Sequence, residues 1–286
     1  MTEDPLTELA YTPKLRLHLN DLTHEATNSF LTLIDCKTLI PNTIKQILKH
    51  LYVPYGREKV PRIRSITLTL RDMGGVAYTT GIEIDDQHKE IHLSLAYLGS
   101  LCKDPLRFRD EVLGVIQHEM VHCFQHNCEG TAPGGLVEGI ADFVRLKAGR
   151  APPHWKKEKD QLGDKWDEGY QKTAWFLEWL EDVRGAGTVS RMNEMMGRCK
   201  YEEDKFWPEL FGMKINVLWK LYKATWEEDD DKGEDTTTDR EPKSPTPMEK
   251  AEDKEGSEGT EPEVVDLDAA EKEEAEIALR PKEWKA

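Results

Sequence analysis

The stretch that decides the reading is Val115–Val144, VIQHEMVHCFQHNCEGTAPGGLVEGIADFV. Uncharged residues (Val115, Ile116, Met120, Val121, Cys123, Phe124) recur through its first half at helical spacing without an intervening proline. The pattern predicts a buried helix that opens at Asp104-Pro105 and runs to Asn127. Within it, His118-Glu119-Met120-Val121-His122 sets two imidazoles four residues apart, on one face and about 6 Å apart along the axis, where both reach a single ion. Glu119 sits beside them, placed to take a proton from a water at that ion. This is the layout of a zinc hydrolase, with His118 and His122 as metal ligands and Glu119 as general base and acid.

Catalytic zinc takes a third protein ligand and keeps a fourth position open. The loop 127–135 is long enough to reverse the chain, and Gly134-Gly135 precedes a second helix that runs through Leu146. If the two helices are antiparallel, His122 and Glu138 both fall within about 8 Å of the turn, at similar heights. Glu138 is therefore the expected third ligand. Asp142, one turn further on, is expected to accept a hydrogen bond from the non-metal nitrogen of one of the histidines and fix its tautomer. His126 is the rival ligand, but on a straight helix it stands about 12 Å from His118, too far to share an ion. Gln125 and His126 are instead expected to line the cleft rim or to cap the helix.

N-terminal to this region the periodicity is mixed. Lys14–Leu19 alternates as a half-buried strand does, Thr23–Ile34 has helical spacing, and Pro41 is placed to open a second helix at the first-turn position that proline tolerates. Arg62–Leu70, Val76–Thr80 and Glu90–Leu95 alternate again. The expected fold class is α+β, with a small twisted N-terminal sheet of about four strands and flanking helices. A helical C-terminal lobe follows, with further helices at Asp167–Val183, Val189–Arg198 and Lys214–Trp226. The aromatic stripe Trp175, Phe176, Trp179 reads as core of that lobe. The organisation expected is one domain over residues 1–226, its sheet-containing part about 14–130 and its helical part about 131–226, followed by an acidic tail over 227–286. No internal repeat occurs.

The 286 residues are 38% hydrophobic and 33% charged, and no window approaches the roughly 18 consecutive apolar residues of a membrane span. Membrane is therefore not an expected partner. The net charge of −16 is unevenly placed, since residues 227–286 hold 23 acidic against 9 basic side chains, which leaves 1–226 near neutral. Without a clustered positive surface, nucleic acid is excluded as the main partner. The tail, rich in Glu, Asp, Lys, Ser, Thr and Pro, is expected to be disordered and to suit a basic partner. Five cysteines (Cys36, Cys102, Cys123, Cys128, Cys199) leave at least one thiol unpaired within the chain. The first twenty residues lack the basic start and apolar stretch of a signal peptide, so the expected location is cytoplasmic.

HEMVHCFQHN followed by APGGLVEGIADFVRLKAG, with GYQKTAWFLEWLE downstream and GVAYTTGIEI upstream, resembles the plant and microbial peptidase family named for basic secretory proteins. The resemblance extends from about Lys14 to Tyr222. It implies a zincin-like fold, Zn2+ as cofactor, peptide or protein substrates, His118 and His122 as ligands and Glu119 as catalytic acid/base. The family name also points to secretion as the alternative location. Tyr170, at the head of the helix after the linker, is a candidate donor to the oxyanion of the reaction. The competing class is a catalytically inactive protein in which zinc only stabilises the fold and the cleft or acidic tail binds a partner.

Overall fold

The alternating N-terminal segment forms strand β1 (Lys14–Leu19) in a computed structural model that describes residues 13–82 and 84–231. With β2 (Ser65–Arg71), β3 (Ala77–Ile82) and β4 (Asp85–Ser94) it makes a four-stranded sheet of order β1-β2-β4-β3. β1 and β4 run parallel to β2, whereas β3 is antiparallel to β4 and forms an edge. Ile66, Leu68 and Leu70 of β2 and Ile91 and Leu93 of β4 are buried, as expected of strands with one face on a core. β1 departs from its half-buried expectation, because Leu15 and Leu17 remain 37% and 40% exposed. It is the outer strand, and its leucines border an open apolar groove with Ile40, Ile66 and Leu68 instead of lying under a helix.

Each early helix starts at a side-chain cap. His24 accepts from the Ala26 N–H to open α1 (Glu25–Leu33), and Asp35 accepts from the Lys37 N–H to open α2 (Cys36–Leu51). Pro41 therefore lies inside α2 and does not begin it. The buried face of Leu39, Ile40, Ile44, Ile47, Leu48 and Leu51 holds the helix together across the one backbone donor that proline removes. After the short α3 (Leu95–Gly99), Asp104 caps α4 (Pro105–His122) by accepting from Arg107 N–H, with Pro105 in the first turn. α4 ends at His122, short of the expected Asn127. Cys123 turns its N–H to Met120, and residues 125–127 are irregular.

The second half is helical, as α5 (Gly134–Lys147), α6 (Tyr170–Arg184), α7 (Thr188–Met196), α8 (Glu203–Phe211) and α9 (Ile215–Asp231). α6 begins at Tyr170, not Asp167, because the chain is still turning through Gly169. Trp175 and Phe176 are buried as expected, and Phe176 packs near Trp207, Trp219 and Tyr222. The buried apolar side chains of sheet and helices form one cluster, from Ala26 to Tyr222. The five cysteines are free thiols. Among the described residues no helix is long and apolar enough to cross a membrane. The first five residues of the expected tail, 227–231, continue α9 as helix instead of being disordered, and the rest, from 232 onward, lies outside the described residues.

Candidate metal centre

The last turn of α4 carries His118 and His122, with their Nε2 atoms 3.2 Å apart. The chain leaves α4, turns through 123–133, and returns as α5, with the Gln125 side-chain amide donating to the Val137 carbonyl across the turn. Glu138 then meets the histidines, its Oε2 3.0 Å from His118 Nε2 and 3.7 Å from His122 Nε2. One turn deeper, the buried Asp142 places Oδ1 2.7 Å from His118 Nδ1. The pairings 122 with 138 and 118 with 142 are those of two antiparallel helices, as the spacing predicts.

The donor atoms of His118, His122 and Glu138 form a cluster that could hold a metal ion. Four ligands around zinc at about 2.0–2.1 Å lie about 3.3 Å from one another, and the observed separations of 3.0, 3.2 and 3.7 Å straddle that spacing. Proton accounting agrees. An ionised Asp142 can only accept, so the proton between it and His118 belongs to Nδ1, and the Nε2 lone pair of His118 faces Glu138. Two imidazole nitrogens and a carboxylate oxygen then converge as acceptors, an arrangement that calls for a cation.

Without a metal, a proton supplies that charge. Burial on its own would lower the His118 pKa, but hydrogen bonds with Asp142 and Glu138, reinforced by their charges, raise it to about 9. Burial would likewise raise Glu138, yet its hydrogen bonds with His118 and His122 hold it well below the usual carboxylate range. Binding a divalent ion would release the extra proton and take over the same electrostatic role.

Glu119 leaves the same turn toward the sheet, where the Thr79 hydroxyl on β3 lies 2.7 Å from its Oε2 and 2.8 Å from its backbone oxygen. The alternation over Val76–Thr80 predicts the strand but gives no sign of this contact. Tyr170 stands on the opposite side, its ring 6.2 Å from that of His118 and inclined by 16°. Its backbone has a left-handed φ of 49°, uncommon without glycine and found here directly after Gly169. The Glu138 charge and partial burial raise the Tyr170 pKa, so the phenol keeps its proton near neutral pH. Close packing of α5 on α6 holds this tyrosine in place. A Cβ on Gly139 would lie 2.2 Å from Thr173 Cγ2, and one on Gly135 would lie 1.7 Å from the Asp167 carbonyl oxygen.

These residues line a cleft of about 750 Å³, bounded by Ala77, Tyr78 and Thr79 of β3 and elsewhere by Tyr97, Trp155 and Tyr170. His126 and Gln125 do not line it, contrary to expectation. α4 has already ended, and His126 turns toward α7, edge-on to Tyr52 and close against Gly197, with its N–H on Asn193. His126 is thus removed from the ligand set by a turn of the chain, whereas the sequence argument removed it by distance along a straight helix.

Residues 12–222 match the family described as BSP, peptidase of plants and bacteria. No curated protein and no solved structure matches the chain at a significant level.

Proposed function

The chain belongs to the BSP family of peptidases of plants and bacteria, and from that premise we propose that it is a zinc-dependent metallopeptidase with a zincin-like active site. The observation that carries the proposal is the donor triangle of His118, His122 and Glu138, with Glu119 held beside it in the same cleft. His118, His122 and Glu138 would hold the ion, and Asp142 would fix the His118 tautomer. Zinc bound there supplies Lewis acidity toward the scissile carbonyl and makes a water acidic near neutral pH.

The protein's own groups supply the remainder. Glu119 takes the proton of the attacking water as its oxygen bonds to the carbonyl carbon, and returns a proton to the departing amine as the C–N bond breaks. The Tyr170 phenol donates to the developing oxyanion, a task that suits a group kept protonated at the mouth of the cleft. β3, an edge strand among the described residues, offers backbone groups to an extended peptide, so the substrate binds as an added strand.

Metal analysis of the purified protein and a peptide-library digest with and without chelator test this reading, with Glu119→Gln as the decisive variant. The expected result is about one zinc per chain and cleavage that chelation abolishes and zinc restores. Glu119→Gln should keep the metal and the melting temperature but lose roughly 10²–10⁴-fold in kcat. Unchanged cleavage by Glu119→Gln would remove it as the base. A parent protein that binds zinc yet cleaves nothing across a broad library would instead be the non-catalytic, metal-stabilised binding protein.

A further inference from the structure

We propose that Thr79 is a positioning residue that locks the Glu119 carboxylate in its working orientation, a role that rests on the peptidase reading above. Glu119 has three side-chain torsions to be fixed before its carboxylate has one position. Its carboxylate is buried, at 7% exposure for the residue, and Thr79 is its one hydrogen-bond donor among the described residues. The hydroxyl touches Glu119 at two points, Oε2 at 2.7 Å and the backbone oxygen at 2.8 Å. The second contact exists because α4 ends here. Cys123 gives its N–H to Met120, so the Glu119 carbonyl takes the Thr79 hydroxyl and a long contact from Cys123 Sγ. One hydroxyl thereby fixes both ends of the same residue against a strand.

A hydroxyl suits this task better than an ammonium or guanidinium would. It carries one proton and no charge, so it orients the carboxylate without pairing with it as an ion. Toward the carboxylate it donates to Oε2. Oε2 stays an acceptor of that proton while the other carboxylate oxygen is left to exchange protons with the reacting groups. The single proton is shared between two acceptor oxygens of the same residue, and no fixed positive charge is brought to the carboxylate. Thr79 also belongs to the edge strand that borders the cleft, so the base and the proposed substrate-binding edge share one register.

The test uses the full chain with Thr79→Val, which keeps the shape and strand propensity but removes the hydroxyl, and Thr79→Ser, which keeps the hydroxyl. Crystal structures of the parent and both variants give a readout independent of activity. Glu119 should occupy one rotamer in the parent and Thr79→Ser, and several or a displaced one in Thr79→Val. In peptide hydrolysis, Thr79→Val should lose roughly 10²-fold in kcat, the scale of a misplaced catalytic group. KM should stay within about two-fold and zinc content should be unchanged. Thr79→Ser should recover most of the rate, and Thr79→Val should cost nothing further when Glu119 is already Gln. A single unmoved Glu119 rotamer in Thr79→Val, a parental kcat, or an equal loss in the Glu119→Gln background would each overturn the role. Full activity of Glu119→Gln alone would instead refute the peptidase mechanism, while the crystallographic comparison still decides the positioning.

Discussion

At His118 each ring nitrogen has a separate task, Nδ1 toward Asp142 and Nε2 toward Glu138. The Asp142 charge keeps the proton on Nδ1 and makes Nε2 the better donor to a metal. Asp142→Asn keeps the volume but removes the charge and allows the amide to present either end, so zinc affinity should fall about 10- to 100-fold. Competition against a chromophoric chelator measures it, and an unchanged affinity would show that Asp142 only fills buried space. Asp142 and Glu138 were legible in the sequence because helical spacing encodes which side chains share a face, and one turn between helices converts that into a meeting point. Thr79 was not, because its contact joins a strand and a helix 40 residues apart, and alternation alone does not say which strand faces which helix. Nor does composition reveal that Tyr170 takes a left-handed backbone; only its place after Gly169 hints at it.

Among the elements, α5 and α6 hold the site's far wall, and their approach depends on missing side chains. Gly135 and Gly139 lie one turn apart on α5 and face the start of α6, where Thr173 accepts from the Gly169 N–H and donates to Trp166. A methyl at 139 would strike Thr173 Cγ2 and push α6, with Tyr170, out of place. Gly139→Ala should destabilise the protein by about 1–3 kcal/mol despite the better helix propensity of alanine. The melting temperature should fall by about 3–10 °C, with a loss of kcat larger than that of Gly74→Ala, a position with open space around it. Equal melting of the two variants would contradict close packing at Gly139. The ends of elements were where the sequence misled, in three cases through a local cap or turn. Asp35 preempts Pro41 as the start of α2, Cys123 closes α4 early, and Gly169 delays α6. α3 is too short to display a period, and α8 carries Pro208 within it.

At the scale of the fold, the candidate metal ligands lie where two helices meet the edge of a sheet, and every residue assigned a role lies within the 12–222 match to the family. Charge is distributed otherwise. Residues 232–286 hold 18 acidic against 9 basic side chains, and five more acids at 227–231 separate them from a nearly neutral 1–226. A chain ending at 231 should keep its melting temperature and hydrolyse an uncharged peptide within about two-fold of the parent rate, since the described lining of the cleft runs from Val76 to Gln171. A Lys- and Arg-rich peptide should behave differently. The parent should capture it several-fold faster in kcat/KM at low ionic strength, and the advantage should vanish near about 0.5 M salt, where the screening length is only a few ångströms. Measuring both peptides on both chains across salt separates the possibilities. If the neutral peptide suffers, residues 232–286 contribute to the fold or the cleft, and if neither peptide responds, their charge does not reach the substrate. A salt-sensitive loss confined to the cationic peptide would mean that the tail selects by charge while the cleft performs the chemistry.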